Sequence, residues 1–407
     1  MVNWNAKFAA RTTRMRRSSI REILKLTQRP DIISFAGGLP APELFPIEQI
    51  RAAADRVLAE RGPGALQYST SEGVPELRAY LAARMSRPGL TVSPDNILIV
   101  QGGQQAIDLV GRILLDEGDR AIVESPTYLG MLVAWRLYNL NYLVIPTDQQ
   151  GLITDLLRTA LRQNPKLMYL VPNFQNPQGV TLSGERRVQL MKLVADYGGA
   201  ILEDNPYGDL RYSGEDLPSL YAVDAQVRGS QQLDGSVIYT SSFSKILAPG
   251  LRVAWIAAPT PVIDKLVQAK QGADLQSNPL SQYIAYEVCK DGFIDGHILR
   301  LRAAYRQRRD IMLAALEREF PEEARWSKPE GGLFLMVHVP PPIDATDLLK
   351  QAVEEYKVAY VPGDDFHVEG GQNTFRLNYS NASPEMIEEG IRRLGMLLKT
   401  VMVRQPA

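Results

Sequence analysis

Between residues 97 and 258, short continuous apolar runs alternate with longer stretches in which apolar positions recur every three or four residues. Ile97 to Val100 reads as a strand, and Gln104 to Leu115, with Ile107, Val110, Ile113 and Leu114 on one face, reads as a helix. The alternation predicts further strands at 121–123, 142–145, 167–171, 200–202 and 237–240, with helices through 131–138, 153–162 and 185–197. A last apolar run covers Val253 to Ala258. Strands apolar on both faces are buried on both faces, and their alternation with helices implies right-handed crossovers in a mostly parallel sheet.

Beyond Pro261 the pattern changes to long helices, including an arginine-rich one from Asp295 to Phe320. From Ser327 it becomes α+β: strand 332–339, helix 345–356, strands 358–361 and 374–379, and helix 384–401. The first 60 or so residues carry Gly37, Gly38, Pro40, Pro42 and Pro46 and read as an irregular segment, too apolar to be disordered. These boundaries divide the chain into an N-terminal arm or lid that also contributes to a small domain (1–60), a large domain (61–295), and a connecting helix with the rest of the small domain (296–407).

Composition narrows the function classes. With 407 residues, 45% of them hydrophobic, the chain can bury a sizeable core. Forty-five Lys and Arg against 46 Asp and Glu give a net charge of -1, so no global field draws in nucleic acid or an anionic membrane. No run approaches the roughly 20 apolar residues of a membrane span. Cys289 is the single cysteine, and histidines 297, 338 and 367 have no metal-ligand spacing, which together suit a cytoplasmic protein without a metal. The basic start, MVNWNAKFAARTTRMRRSSI, lacks the apolar core of a signal peptide and reads as an arm of the mature protein.

In parallel α/β sheets ligands sit beyond the carboxyl ends of the strands, so the polar residues just after each apolar run carry the chemistry. These are QGGQQA after 97–100, ESPTY after 121–123, PNFQNPQG after 167–171, EDNPY after 200–202 and SSFSK after 237–240. Two glycines leading into a helix suit a phosphate, because free amides and the helix dipole point at it. Read singly, each motif has an ordinary explanation as a turn, a cap or a solvated lysine. Their conjunction is what points to a ligand.

The ordered set SFAGGLPAPELFP, QYSTSEG, QGGQQA, NFQNPQG, EDNPY, SFSKILAPGLR and FRLNYS resembles the class I/II aminotransferases of pyridoxal-phosphate fold type I. With its IREILKLTQRP opening the chain is most similar to the 2-aminoadipate and kynurenine aminotransferase group. The resemblance implies an α/β fold, with a large domain built on a mostly parallel seven-stranded sheet and a smaller α+β domain made from both ends of the chain. It implies pyridoxal 5'-phosphate as cofactor, amino-acid and 2-oxo-acid substrates, and a homodimer with active sites at its interface.

Residue by residue, Lys245 matches the family's Schiff-base lysine and its acid/base. Asp204 matches the carboxylate beside the ring nitrogen. Glu203 is its neighbour in sequence, but side chains alternate along a strand, so one of the two faces the ring. Asn176 and Tyr207 match the residues that hydrogen-bond the ring's 3' oxygen, and Tyr128 the aromatic that stacks on its face. Gly103, Gln104, Ser242, Ser244 and Arg252 match the phosphate cup, and Tyr68 the tyrosine that reaches the neighbouring subunit's phosphate. Arg376 matches the arginine that binds the substrate's α-carboxylate, with Asn176 and the backbone at Gly38 completing that pocket. Arg21 aligns with the arginine that meets the side-chain carboxylate of dicarboxylic substrates in the 2-aminoadipate type; the stripe of Ile20, Ile23, Leu24 and Thr27 would equally leave it to the side of an amphipathic helix.

The expected reaction is ping-pong transamination of an L-amino acid, such as 2-aminoadipate, glutamate, leucine or an aromatic, with 2-oxoglutarate or a similar acceptor. The same fold supports a lyase or a decarboxylase. It also serves as the sensing domain of regulators carrying a winged-helix module, for which the start of the motif pattern within the first 40 residues leaves no room.

Overall fold

In the computed structural model, which describes residues 1–15 and 29–403, the apolar runs become strands of one large sheet. After β1 (Ile33–Ser34) come β2 (Ile97–Val100), β3 (Arg120–Ser125), β4 (Asn141–Asp148), β5 (Gly151–Leu152), β6 (Leu167–Leu170), β7 (Ile201–Asp204), β8 (Val237–Ser242) and β9 (Ala254–Ala257). The order across the sheet is β2-β9-β8-β7-β6-β3-β4-β5. Strands β8, β7, β6, β3 and β4 run parallel, so their carboxyl ends open on the same edge. β9 is antiparallel to both of its neighbours. Seven strands were expected; the eighth is the two-residue β5, which folds back on the end of β4. Every residue of β2, β6, β7, β8 and β9 is buried, as continuous apolar runs require.

A second sheet is built from β10 (Arg325–Trp326), β11 (Phe334–His338), β13 (Val361–Pro362) and β14 (Thr374–Asn378), in the antiparallel order β10-β11-β14-β13. The expected strand 358–361 is divided: β12 (Val358–Ala359) pairs with β1, matching Ile33 to Val358, while β13 pairs with β14. The pairing of β1 with β12 ties the N-terminal part of the chain to its C-terminal part. The 27-residue helix Phe293–Glu319 packs along the C-terminal helix Pro384–Val403.

The reading of the first 60 residues as irregular is corrected: a 19-residue helix, Ile47–Ala65, begins inside it. Its buried face consists of Ala53, Val57, Gly62 and Ala65, while Ile47 and Leu58 point outward, so the chain carries no stripe of large apolar residues to announce it. The expected helix over 153–162 is a 3-10 turn, Thr154–Leu156, followed by one short helix, Leu157–Leu161. Among the described residues no helix is long and apolar enough to cross a membrane.

Candidate active site

The segments that follow β2, β3, β6, β7 and β8 converge on a cavity of about 290 Å³. Gly38 and two residues of the second sheet, Phe334 and Arg376, close it from the other side. Of the residues singled out in the sequence, Gly38, Gly103, Gln104, Tyr128, Asn176 and Asp204 line it. So do Tyr207, Ser242, Ser244, Lys245, Arg252 and Arg376.

Lys245 lies three residues past the end of β8. Its Nζ donates to the carbonyl oxygen of Gly38 at 2.7 Å, and among the described residues it forms no ion pair. Burial, with Arg376 and Arg252 as positive neighbours, pushes the amine down to about 8. A substantial fraction of it is therefore neutral, and so nucleophilic, near physiological pH.

At the end of β7 the strand's alternation sorts two adjacent carboxylates. Asp204 lines the cavity, whereas Glu203 accepts from the backbone N–H groups of Leu220 (3.0 Å) and Tyr221 (3.2 Å) at the start of the helix Leu220–Arg228. The Tyr169 hydroxyl donates to Oδ2 of Asp204 at 2.6 Å. Burial raises the Asp204 carboxyl to about 6, against the opposing effect of that hydrogen bond.

Arg376, on β14, is buried, and its acceptors among the described residues are neutral. Nη1 donates to Oδ1 of Asn176 and Nη2 to the carbonyl oxygen of Ala36, both at 2.7 Å, while Nε is buried with no partner among the described residues. The guanidinium carbon lies 4.2 Å from the ring centre of Phe334 and 5.0 Å from that of Phe366. Desolvation pulls its pKa down to about 10. A buried cation with no ion pair among the described residues is costly unless an anion joins it.

The helix Gly103–Leu114 points its amino terminus at the cavity, with Gly102 before it at φ 85°. Ser242 donates to the Ser244 hydroxyl at 2.7 Å and accepts the Ser244 N–H at 2.9 Å. Arg252, itself left-handed at φ 56°, donates to the carbonyl oxygens of Gln101 (3.2 Å) and Pro249 (3.3 Å). A Cβ on Gly102 would run into that guanidinium. Gly103, expected at the start of this helix, lines the cavity, and the glycine before it, Gly102, is the one whose lack of a side chain leaves room for Arg252. Free helix amides, two hydroxyls and one guanidinium make a site for a phosphate.

Two aromatic residues complete the walls. Tyr128 leads into the helix Leu129–Trp135 with its ring over Gly130, where a Cβ would collide with it, and burial pushes its hydroxyl up to about 12. Tyr207 meets Phe334 edge to face at 5.8 Å. Amine, carboxylate, phosphate cup and aromatic walls together fit a phosphorylated pyridine aldehyde.

One expected site residue, Tyr68, does not line this cavity and is 78% exposed. Arg21, the other, lies outside the described residues. In the opposite sense, Phe334, Phe366 and Tyr169 touch the site's charged groups without a signal in the sequence: Phe334 and Tyr169 stand in apolar runs, and Phe366 in the polar turn Asp364–Phe366. Ser241 and Phe243 have supporting places: Ser241 donates to the Asn205 carbonyl at 2.8 Å, and the Phe243 ring packs 5.2 Å from Trp255.

The family model described as Aminotransferase class I and II matches residues 30–394. A 2-aminoadipate transaminase from Thermus thermophilus is 44% identical over 403 residues, covering 98% of each chain. Aromatic-amino-acid aminotransferase 1 from Thermococcus litoralis is 43% identical, covering 98% of this chain and 96% of its own. Among solved structures, the α-aminoadipate aminotransferase of Thermus thermophilus, complexed with N-(5'-phosphopyridoxyl)-L-leucine, superimposes with a TM-score of 0.92 at 42% identity, over 99% of this chain and 100% of the other.

Proposed function

The chain belongs to the class I and II aminotransferases, and we propose that it moves the amino group of 2-aminoadipate, glutamate, leucine or an aromatic amino acid to 2-oxoglutarate by a ping-pong mechanism. That it is a pyridoxal-phosphate-dependent transaminase follows from the family; the donor range and the roles of individual residues are our reading. The observation that carries this reading is the cavity's pairing of a part-neutral lysine, Lys245, with a buried arginine, Arg376, that forms no ion pair among the described residues.

When bound, pyridoxal phosphate supplies an aldehyde that reacts with amines and a ring that takes up electrons. Lys245 would hold the cofactor through its amine, and that amine, when free, would be the group placed to move the proton of the substrate's α-carbon. Asp204 would pair with the ring nitrogen and favour its protonated form. Tyr128 would hold the ring by stacking, and Asn176 and Tyr207 would hold its 3' oxygen by hydrogen bonds. The amides at Gly103 and Gln104, the hydroxyls of Ser242 and Ser244, and the Arg252 guanidinium hold the phosphate.

Arg376 grips the α-carboxylate shared by donor and acceptor. The rings of Phe334 and Phe366 fix its plane and exclude water, so the ion pair forms at low dielectric. Asn176 and the backbone at Gly38 complete this pocket.

Tyr68 serves a second subunit. It is exposed, as is Leu66, and the next residue, Ser69, donates its N–H to Gln276 beside exposed Leu275. Leu66, Tyr68 and Leu275 supply an apolar surface for a homodimer whose sites include the partner's tyrosine. The 2-aminoadipate transaminase relative supports a role for Arg21 in meeting dicarboxylic side chains.

The decisive test is a donor panel with 2-oxoglutarate as fixed acceptor, with glutamate alone as a half-reaction. Conversion of bound cofactor to the pyridoxamine form by glutamate alone, with turnover of 2-aminoadipate, leucine and phenylalanine, is expected. No conversion of the cofactor by any of these donors would refute the reading.

A further inference from the structure

We propose that Tyr169 is a positioning residue for the reaction: its hydroxyl, held on Asp204, keeps the proton between carboxylate and cofactor on the ring nitrogen. This rests on the role proposed above for Asp204. The arrangement follows from strand register. β6 and β7 are parallel neighbours with Tyr169 opposite Leu202. Asp204 is two residues further along β7 and therefore on the same face, within diagonal reach of a long side chain.

The Tyr169 ring is fully buried and held edge to face by Trp135 at 5.8 Å, so the hydroxyl has one direction to point. It meets Oδ2 at 2.6 Å. Among the described residues this is the hydrogen bond that reaches the Asp204 side chain, and the environment of the carboxylate is set by burial and by that bond, without a lysine or arginine. Oδ1 is left as the acceptor at the cavity.

A buried carboxylate with one donor and no cation is a strong base. Opposite a ring N–H, it competes for the proton: either the nitrogen keeps it and the pair is charged, or Oδ1 takes it and both partners are neutral. Withdrawing the Tyr169 hydroxyl makes the carboxylate more basic and favours the neutral pair. One proton shifts from nitrogen to Oδ1, nothing else changes hands, and the ring loses its capacity to take up electrons.

The test is the nitrogen-15 shift of holoenzyme loaded with ring-labelled pyridoxal phosphate. Tyr169→Phe keeps the ring against Trp135 and is expected to move the signal toward unprotonated pyridine. It should also enlarge the primary isotope effect with α-deuterated glutamate and lower kcat roughly tenfold, as expected for losing a hydrogen bond to a charged group. Fluorotyrosine at position 169, a stronger donor, should move the signal the other way. Tyr239→Phe removes a buried hydroxyl on the neighbouring β8 that accepts from Asn205, and should leave the signal unchanged. An unmoved signal in Tyr169→Phe, when Asp204→Asn does move it, overturns the proposal alone. A protonated signal surviving in Asp204→Asn overturns the role of Asp204 beneath it.

Discussion

Nη1 of Arg376 and Oδ1 of Asn176 lie 2.7 Å apart although 200 residues separate them in the chain. The bond joins the second sheet to the loop after β6, and it turns one guanidinium edge toward the cavity where the cofactor and substrate would meet.

Replacing that arginine tests the geometry. Arg376→Lys keeps the charge but loses the planar fork and the stacking on Phe334 and Phe366. We expect kcat/KM to fall by about 2–3 kcal/mol, equally for amino donors and for 2-oxoglutarate, because both carry the same carboxylate. Steady-state kinetics with both substrates varied measures it; a loss confined to one donor would contradict the assignment.

Lys245→Ala should abolish the visible absorbance of bound cofactor and reduce transamination to background. The wild-type amine also has a pH signature. Because its pKa is lowered to about 8, it is protonated below that pH and neutral above it. Uptake of pyridoxal phosphate by the apoenzyme should speed up as pH rises toward 8 and level off beyond, whereas an ordinary lysine would go on gaining up to about 10.4. Stopped-flow absorbance across that range distinguishes the two.

Gly102→Ala places a methyl group in the space of the Arg252 guanidinium and at a positive φ. The strain, of the order of 1–3 kcal/mol, should emerge as weaker cofactor retention more than as lower thermal stability of the apoenzyme. Equilibrium dialysis against pyridoxal phosphate, beside a melting curve, separates the two effects.

The interface role of Tyr68 predicts complementation. If it serves the partner's site, a mixed dimer of Tyr68→Phe and Lys245→Ala subunits contains one site built from intact parts: the lysine of one subunit and the tyrosine of the other. Activity near half that of wild-type per dimer is expected, against much lower values for either parent homodimer. Mixtures no better than the parents would place Tyr68 in its own subunit's site or in none.

Arg21→Ala should weaken 2-aminoadipate and glutamate by about 1–3 kcal/mol in kcat/KM while sparing leucine. Equal losses for all three would leave Arg21 without a part in recognising dicarboxylic side chains.

How much of this was legible in the chain depends on what each residue answers to. Lys245, Asp204 and Asn176 stand beyond apolar runs, and in a parallel sheet those positions share one edge, so order along the chain already brought them together. Arg252 stands ahead of a run instead, and reaches the same edge because β9 is antiparallel to β8. Strand alternation said that one of Glu203 and Asp204 faces the site, and the resemblance to the family said which. The helix Ile47–Ala65 was not legible, because its buried face is made of small residues.

Sequence by itself determined the alternation of strand and helix, the edge on which the site opens, and the residue types that can bind a phosphate, an aldehyde and a carboxylate. Tertiary structure decided what is decided across strands and between sheets. Tyr169 is one apolar-run residue until β6 and β7 pair and set its hydroxyl on Asp204. Phe334 and Phe366 are core aromatics until the second sheet brings Arg376 between them. Those contacts depend on register and packing of segments far apart in the chain, and periodicity records which face a residue occupies without recording what lies opposite.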